Sequence, residues 1–127
     1  MNAKILLVED NEQNRYLATF LLERSGFTVL HAADGREALA QAYSERPDLI
    51  LMDIQMPAMD GYEAAELIKA APELAHIPLV ALTSYAMPGD RKKAFRAGFA
   101  GYIEKPIFFE TFISEITRFL PGKGSSA

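Results

Sequence analysis

Asp53, Glu9 and Asp10 are the residues whose positions ask for chemistry. Asp53 closes the run Leu49-Ile50-Leu51-Met52, and an unbroken apolar run of this kind reads as a strand buried on both faces. A carboxylate at its end means that the chain is leaving the core there. Ile5-Leu6-Leu7-Val8 is a second such run, and it ends in Glu9 and Asp10. Ligands of open α/β sheets bind beyond the carboxyl ends of the strands, so both ends present acid to whatever the protein handles. Three carboxylates within about 4 Å of one another would repel by roughly 4 kcal/mol per pair at an effective dielectric near 20. Either some of them protonate or a cation sits among them. Hard oxygen ligands without His or Cys favour Mg²⁺, with Mn²⁺ as the alternative, over zinc, and Mg²⁺ readily shares its shell with phosphate oxygens. Thr83 ends a further buried run, Leu79-Val80-Ala81-Leu82, and Lys105 follows the short run Gly101-Tyr102-Ile103. A hydroxyl donor and a point cation are the groups that neutralise the oxygens of a transferring phosphoryl group. With no Ser-His-Asp set or thiol evident, Asp53 is the candidate nucleophile, forming an acyl phosphate.

These residues need a frame that brings several strand ends together. Tyr16, Leu17, Phe20 and Leu21 space as a helix over 11–24, with Gly26 as its stop. Phe27 to His31 reads as a second strand. Asp34 and Glu37 form a capping box for a helix with Ala38, Leu39, Ala42 and Tyr43 facing inward, and Pro47 forbids its continuation. Pro57 stops the chain after Asp53, and Asp60 with Glu63 caps a third helix with the stripe Ala64, Leu67, Ile68 and Ala71, ending near Pro72. Leu74 to Pro78 connects it to the strand that ends at Thr83. A fourth helix is expected over about 88–97, with Ala94 and Phe95 inward and Gly98 as stop. Phe109, Phe112, Ile113, Ile116, Phe119 and Leu120 make a last amphipathic helix, closed by Pro121-Gly122. Five strands alternating with five helices predict an α/β fold, a doubly wound (βα)5 parallel sheet of order 2-1-3-4-5. That order sets the first and third strands side by side, which gathers Glu9, Asp10 and Asp53.

The chain has 127 residues, half of them hydrophobic and 24% charged, which suits one ordinary globular domain over 1–121 with a flexible tail over 122–127. It contains no cysteine, which excludes disulfides and thiolate sites and is compatible with a reducing cytoplasm. The first apolar run is too short for a signal peptide or membrane span. A net charge of −4 without a basic block argues against nucleic acid as a direct partner.

Val8-Glu9-Asp10-Asn11, Met52-Asp53-Ile54-Gln55-Met56-Pro57-Ala58-Met59-Asp60-Gly61, Leu82-Thr83-Ser84 and Lys105-Pro106 together resemble the signature blocks of the receiver domain of two-component response regulators. The fold of that family is flavodoxin/CheY-like. The resemblance runs in order from about residue 4 to residue 120, and within the family it is greatest to single-domain regulators of the DivK type and to receivers of hybrid histidine kinases. It implies that Asp53 accepts phosphate from a histidine kinase or a histidine phosphotransfer protein. It implies that Glu9, Asp10, Asp53 and the backbone carbonyl of Gln55 surround Mg²⁺ while Thr83 and Lys105 bind the phosphoryl group. Thr83 and Tyr102 would form the switch that reshapes the face of the fourth helix, fifth strand and fifth helix toward a downstream protein. Gln55 and Tyr85 flank the site at positions that modulate phosphoryl lifetime in the family. Output is expected through protein contacts, with homodimerisation on phosphorylation left open, and no catalysis is implied beyond the domain's own phosphorylation and dephosphorylation.

Other readings compete at single positions. Asp10 with Gln13 also fits a capping box, Thr83 is an ordinary strand terminus, and Lys105 could be a solvated loop lysine. His31 and His76 read as surface or structural residues, and Met52, Met56 and Met59 as packing. Phe108 and Phe109 cannot both face inward beside Phe112, and an exposed aromatic there would hint at a partner surface. At the level of function, a phosphate-inert docking module of the same fold is the alternative. An Asp-nucleophile phosphatase of the haloacid-dehalogenase type wants a second Asp where Gln55 stands, and a cap domain for which there is no room. A flavin mononucleotide carrier would need Ser, Thr and Gly after the first strand, where this chain is acidic.

Overall fold

The computed structural model describes residues 3–54, 61–83, 88–105 and 107–120. Asp60, Pro57, Gln55, Tyr85, Met56, Met59 and the tail over 122–127 lie outside the described residues, so the Asp60 cap is not among the features below. The elements alternate as β1 (Lys4–Val8), α1 (Glu12–Arg24), β2 (Thr28–Ala32), α2 (Gly35–Glu45), β3 (Leu49–Asp53), α3 (Gly61–Ala70), β4 (Leu79–Thr83), α4 (Asp90–Ala97), β5 (Gly101–Glu104) and α5 (Phe109–Phe119). All strand pairs are parallel, in the order β2-β1-β3-β4-β5. The expected fold class and strand order therefore hold.

β1, β3 and β4 are the apolar runs, and they are buried almost end to end because helices cover both faces of the sheet. Successive side chains go to opposite faces. Leu6, Val8, Ile50, Met52, Leu79 and Ala81 share one core with α2, α3 and α4. Ile5, Leu7, Leu49, Leu51, Val80 and Leu82 share the other with α1 and α5. The two cores fix the register, since a slip by one residue would exchange their members.

The helix ends follow the expected chemistry in two cases. Asp34 caps α2 by accepting from the Glu37 N–H at 2.9 Å, while Glu37 Oε1 accepts from the Ala33 N–H at 2.9 Å. Gly98 closes α4 at a φ of +113°, a left-handed conformation natural only for glycine, and a Cβ there would also meet the Lys69 side chain. Lys69 itself donates to the Ala75 and Ile77 carbonyls and holds the loop before β4.

On α1 to α4 the expected inward stripes hold in part, with Leu21, Ala38, Ala42, Ala64, Ile68, Ala71 and Ala94 buried, but their larger members turn out. α1 buries Ala18, Leu21 and Leu22, leaving Tyr16, Leu17 and Phe20 exposed at 73%, 44% and 48%. α2 buries Ala38 and Ala42 but not Tyr43, α3 buries Ala64, Ala65 and Ile68 but not Leu67, and α4 buries Ala94 and Ala97 but not Phe95. Small residues let a helix sit close on the sheet, so the large ones beside them are pushed to the rim. α5 follows the expected stripe in Phe112 and Ile116, with Leu120 just past its end, all in the core, and in Ile113 and Phe119, which are partly buried against it, but Phe109 leaves the stripe and is exposed together with Phe108. Arg24 of α1 lies over the Phe109 ring, 5.8 Å from its centroid.

His31 is structural. Its Nε2 lies 2.9 Å from Thr19 Oγ1 and ties α1 to the edge strand β2. Burial lowers its pKa from 6.5, helped by the Arg15 charge and opposed by Glu23. Protonation is therefore disfavoured in the folded chain. The stability His31 contributes is present above 6.5 and is lost as the pH falls from there through the lowered value. A His31→Gln variant should show a shallower loss of urea stability than the wild type on acidification across that window; parallel curves would refute the assignment. Phe112 is 1% exposed at the centre of the α1/α5 core, and Phe112→Ala should lower the unfolding free energy by about 3–5 kcal/mol in urea titration.

Candidate functional site

β1 and β3 are neighbours in register Val8↔Met52, so the residues that follow, Glu9 and Asp53, stand side by side. Glu9 is held beyond the strand by its N–H bond to the Ala32 carbonyl at 3.1 Å, which extends the pairing with β2 by one residue. The Ile54 N–H donates to the Leu82 carbonyl at 3.0 Å and holds the end of β3 to β4 in the same way. Gly61 opens α3 close against this turn: a Cβ on it would lie 2.8 Å from the Ile54 Cα and 3.2 Å from the Asp53 carbonyl oxygen. The absence of a side chain there lets α3 begin beside the strand that carries Asp53.

Glu9, Asp10 and Asp53 each bring a carboxylate oxygen to within 4.8 Å of the other two. Glu9 and Asp53 are buried, at 1% and 5% exposure, and Asp10 is exposed. Asp10 does not cap α1. That role falls to Asn11, whose side chain accepts from the Asn14 N–H at 2.9 Å, so Asp10 remains with the acid group. The Asn11 N–H also reaches Glu9 Oε2 at 3.2 Å, and Arg15 Nη1 donates to the Glu9 carbonyl at 3.3 Å. Sequence reasoning did not find these two contacts, although Asn is among the strongest N-cap residues and could have marked the helix start.

Lys105 is far from a solvated loop lysine. Its ammonium donates to Glu9 Oε1 at 2.9 Å and lies 3.5 Å from Asp53 Oδ2, with its side chain only 13% exposed. Its backbone N–H donates to the Thr83 carbonyl at 2.8 Å, which carries the pairing of β4 and β5 past the strand ends and aims the lysine at the acids. Thr83 is fully buried at the end of β4. Tyr102 lies on β5 and is buried, at 8% exposure. Of the residues picked out from the sequence, the described structure thus gathers Glu9, Asp10, Asp53 and Lys105 at the carboxyl ends of the central strands, with Thr83 joined to Lys105 through the backbone. The Gln55 carbonyl lies outside the described residues.

The charges are unevenly compensated. Burial raises the Glu9 carboxyl above the usual carboxylate range; the Lys105 hydrogen bond opposes this, while the Asp53 carboxylate beside it adds to it. An acid pair with one ammonium has negative charge to spare, and all its donors are hard oxygens. That donor set fits a small divalent cation that keeps open positions for further oxygen ligands.

Comparison with known proteins agrees with this geometry. The family model for the response regulator receiver domain matches residues 5–117. The polar-differentiation response regulator DivK of Brucella anthropi is 43% identical over 120 residues, covering 94% of this chain and 98% of that protein. The chemotaxis protein CheY4 of Vibrio cholerae superposes with a TM-score of 0.89 at 33% identity, over 94% of this chain and all of that one. The receiver domain of the sensor histidine kinase PA1611 from Pseudomonas aeruginosa, described with a magnesium ion coordinated in its active site cleft, superposes with a TM-score of 0.87 at 36% identity, over 94% of this chain and 98% of that one. Strand-end acids, a lysine aimed at them and a match along nearly the whole chain converge: this protein belongs to the receiver domain family of two-component response regulators.

Proposed function

We propose that the chain is a cytoplasmic phosphoacceptor of a two-component phosphorelay, with Asp53 taking a phosphoryl group from the phosphohistidine of a kinase or phosphotransfer protein. The observation that carries this reading is the cluster of three carboxylates within 4.8 Å, faced by the Lys105 ammonium. In the transfer, an Asp53 carboxylate oxygen forms the new bond to phosphorus, the phosphorus–nitrogen bond breaks, and its electron pair stays on the imidazole. Lys105 stands where it can turn from Glu9 to an oxygen of the incoming group, and the Thr83 hydroxyl can donate to another. Glu9, Asp10 and Asp53, with the Gln55 carbonyl, would hold Mg²⁺, as the magnesium described for the PA1611 receiver supports. The ion would supply positive charge against the phosphoryl oxygens. Thr83 and Tyr102 would relay the modification to the face of α4, β5 and α5, where a downstream protein binds.

A protein donor also suits the surface. α1 begins two residues after Asp10, Arg15 of its first turn touches Glu9, and Tyr16, Leu17 and Phe20 lie exposed along it. An apolar helix face bordering an acidic site suits docking of a macromolecule rather than a small phosphate ester.

Intact mass after incubation with Mg²⁺ and a small acyl phosphate should show one added phosphoryl group on the wild type, none on Asp53→Asn, and none after chelation of the metal. Absence of the adduct with both the small donor and a phosphorylated histidine protein would overturn the reading in favour of an inert docking module. The crowding of buried negative charge also predicts an effect on stability. In chelator at neutral pH, Glu9→Gln should melt above the wild type, because a neutral amide relieves the repulsion while Asp53 keeps Lys105 as neighbour. Adding Mg²⁺ should raise the wild-type melting temperature and move that of the variant much less. Equal responses of the two proteins to the metal would count against Glu9 as a ligand.

A further inference from the structure

α4 is lightly anchored to the rest of the molecule. Of its eight residues only Ala94 and Ala97 are buried. Two of its cations, however, sit over aromatic rings of two different neighbours. Lys93 Nζ is 4.4 Å from the centroid of Tyr62 on α3, and Arg91 Cζ is 5.1 Å from that of Tyr102 on β5. A cation within about 6 Å of a ring face is attracted by its quadrupole.

Tyr102 needs such support. Its hydroxyl is buried with no hydrogen-bond partner among the described residues. Burial pushes the hydroxyl pKa up, the carboxylates of Asp90 and Glu104 push it further, and Arg91 opposes them. A polar group buried without a partner disfavours the conformation that buries it. The buried rotamer must therefore be held by what the ring touches; of the charged groups that act on Tyr102, the Asp90 and Glu104 carboxylates and the Arg91 guanidinium, Arg91 is the cation that lies over the ring.

The register shows what the ring stands beside. Ala81 pairs with Tyr102 and Thr83 with Glu104, so by the alternation of strands Ala81, Thr83, Tyr102 and Glu104 project to the same face of the sheet. Thr83 is fully buried in that column. A Thr83 side chain drawn toward a phosphoryl group on Asp53 leaves space on this face that a buried ring can fill. A ring turned outward leaves that space without packing atoms, which costs contact energy.

We infer that Arg91 is a positioning residue, which by stacking on Tyr102 holds the ring in its buried rotamer and so favours the phosphoryl-bound arrangement of Thr83. Arg91 touches neither the carboxylates nor the phosphoryl group. The inference rests on the reading of Asp53 as phosphoacceptor.

The test is Mg²⁺-dependent binding of beryllofluoride, a phosphoryl mimic, to the wild type, Arg91→Lys, Arg91→Met, Tyr102→Leu and the Arg91→Met/Tyr102→Leu double variant. Arg91 is exposed, so its variants should fold, and matching urea midpoints would verify it. Stacking at an exposed site sets the scale: Arg91→Met should weaken binding about two- to five-fold, with Arg91→Lys recovering most of the loss. In the Tyr102→Leu background, which has no ring to stack on, Arg91→Met should have no effect. Equal affinities of the wild type and Arg91→Met, or the same loss in the Tyr102→Leu background, would overturn the inference and leave Asp53 as acceptor untouched. A wild type that neither binds beryllofluoride nor gains phosphoryl mass would overturn both.

Discussion

Two buried carboxylates side by side must have a cation between them or give up a charge, and Lys105 is the cation that this structure provides. Its ammonium bonds Glu9 and approaches Asp53 from the end of the edge strand β5, three strands away from β1. β3 and β4 lie between β1 and β5, and the Lys105 N–H bond to the Thr83 carbonyl fixes the point from which the side chain reaches across. The strand order is thus what gives the acids their counter-charge. A single ammonium does not neutralise three carboxylates, and the remaining negative charge is what a divalent ion would offset.

The alternation of strand side chains divides the labour between the two faces. Continuing the pattern of β1, β3 and β5 by parity places Glu9, Asp53 and Lys105 on the side of α1 and α5, whereas Thr83 and Tyr102 fall on the side of α2, α3 and α4. The acids with their lysine and the pair Thr83 and Tyr102 therefore lie on opposite faces of one sheet. Thr83 sits at a strand end, where its short side chain is close to the rim between the two sides. That position suits the relay role proposed for it.

The strands and their chemistry were legible in the sequence because both depend on short, local patterns. An apolar run ending in an acid has few structural meanings, and two such runs in adjacent strands have fewer. Helix orientation was less legible. Tyr16, Leu17, Phe20 and Leu21 have helical spacing, but of the four only Leu21 joins Ala18 and Leu22 on the buried side of α1. Tyr43, Leu67 and Phe95 failed as core residues for the same reason: close packing on a parallel sheet selects small side chains, and hydrophobicity alone points to the large ones. The Asn11 cap and the Arg15 contact were missed because they depend on the direction of individual side chains, which spacing does not encode. Asp10 shows the opposite outcome, since the cap that competed for it went to its neighbour.

The same preference for small residues explains why α4 is suited to move. A helix seated on Ala94 and Ala97 buries little apolar area, so little free energy opposes its displacement. Part of its hold on the molecule comes through Arg91 and Lys93, long side chains that can keep a ring in contact while the backbone shifts. One of those rings belongs to β5, next to the Thr83 column, and the other to the first turn of α3, which starts where Gly61 packs on the end of β3. Both contacts therefore lead back to strand ends at the acidic site by paths of a few residues. A change of charge at Asp53 would be felt at α4 from two sides without any rearrangement of the sheet, whose buried strands are the most costly part of the fold to disturb.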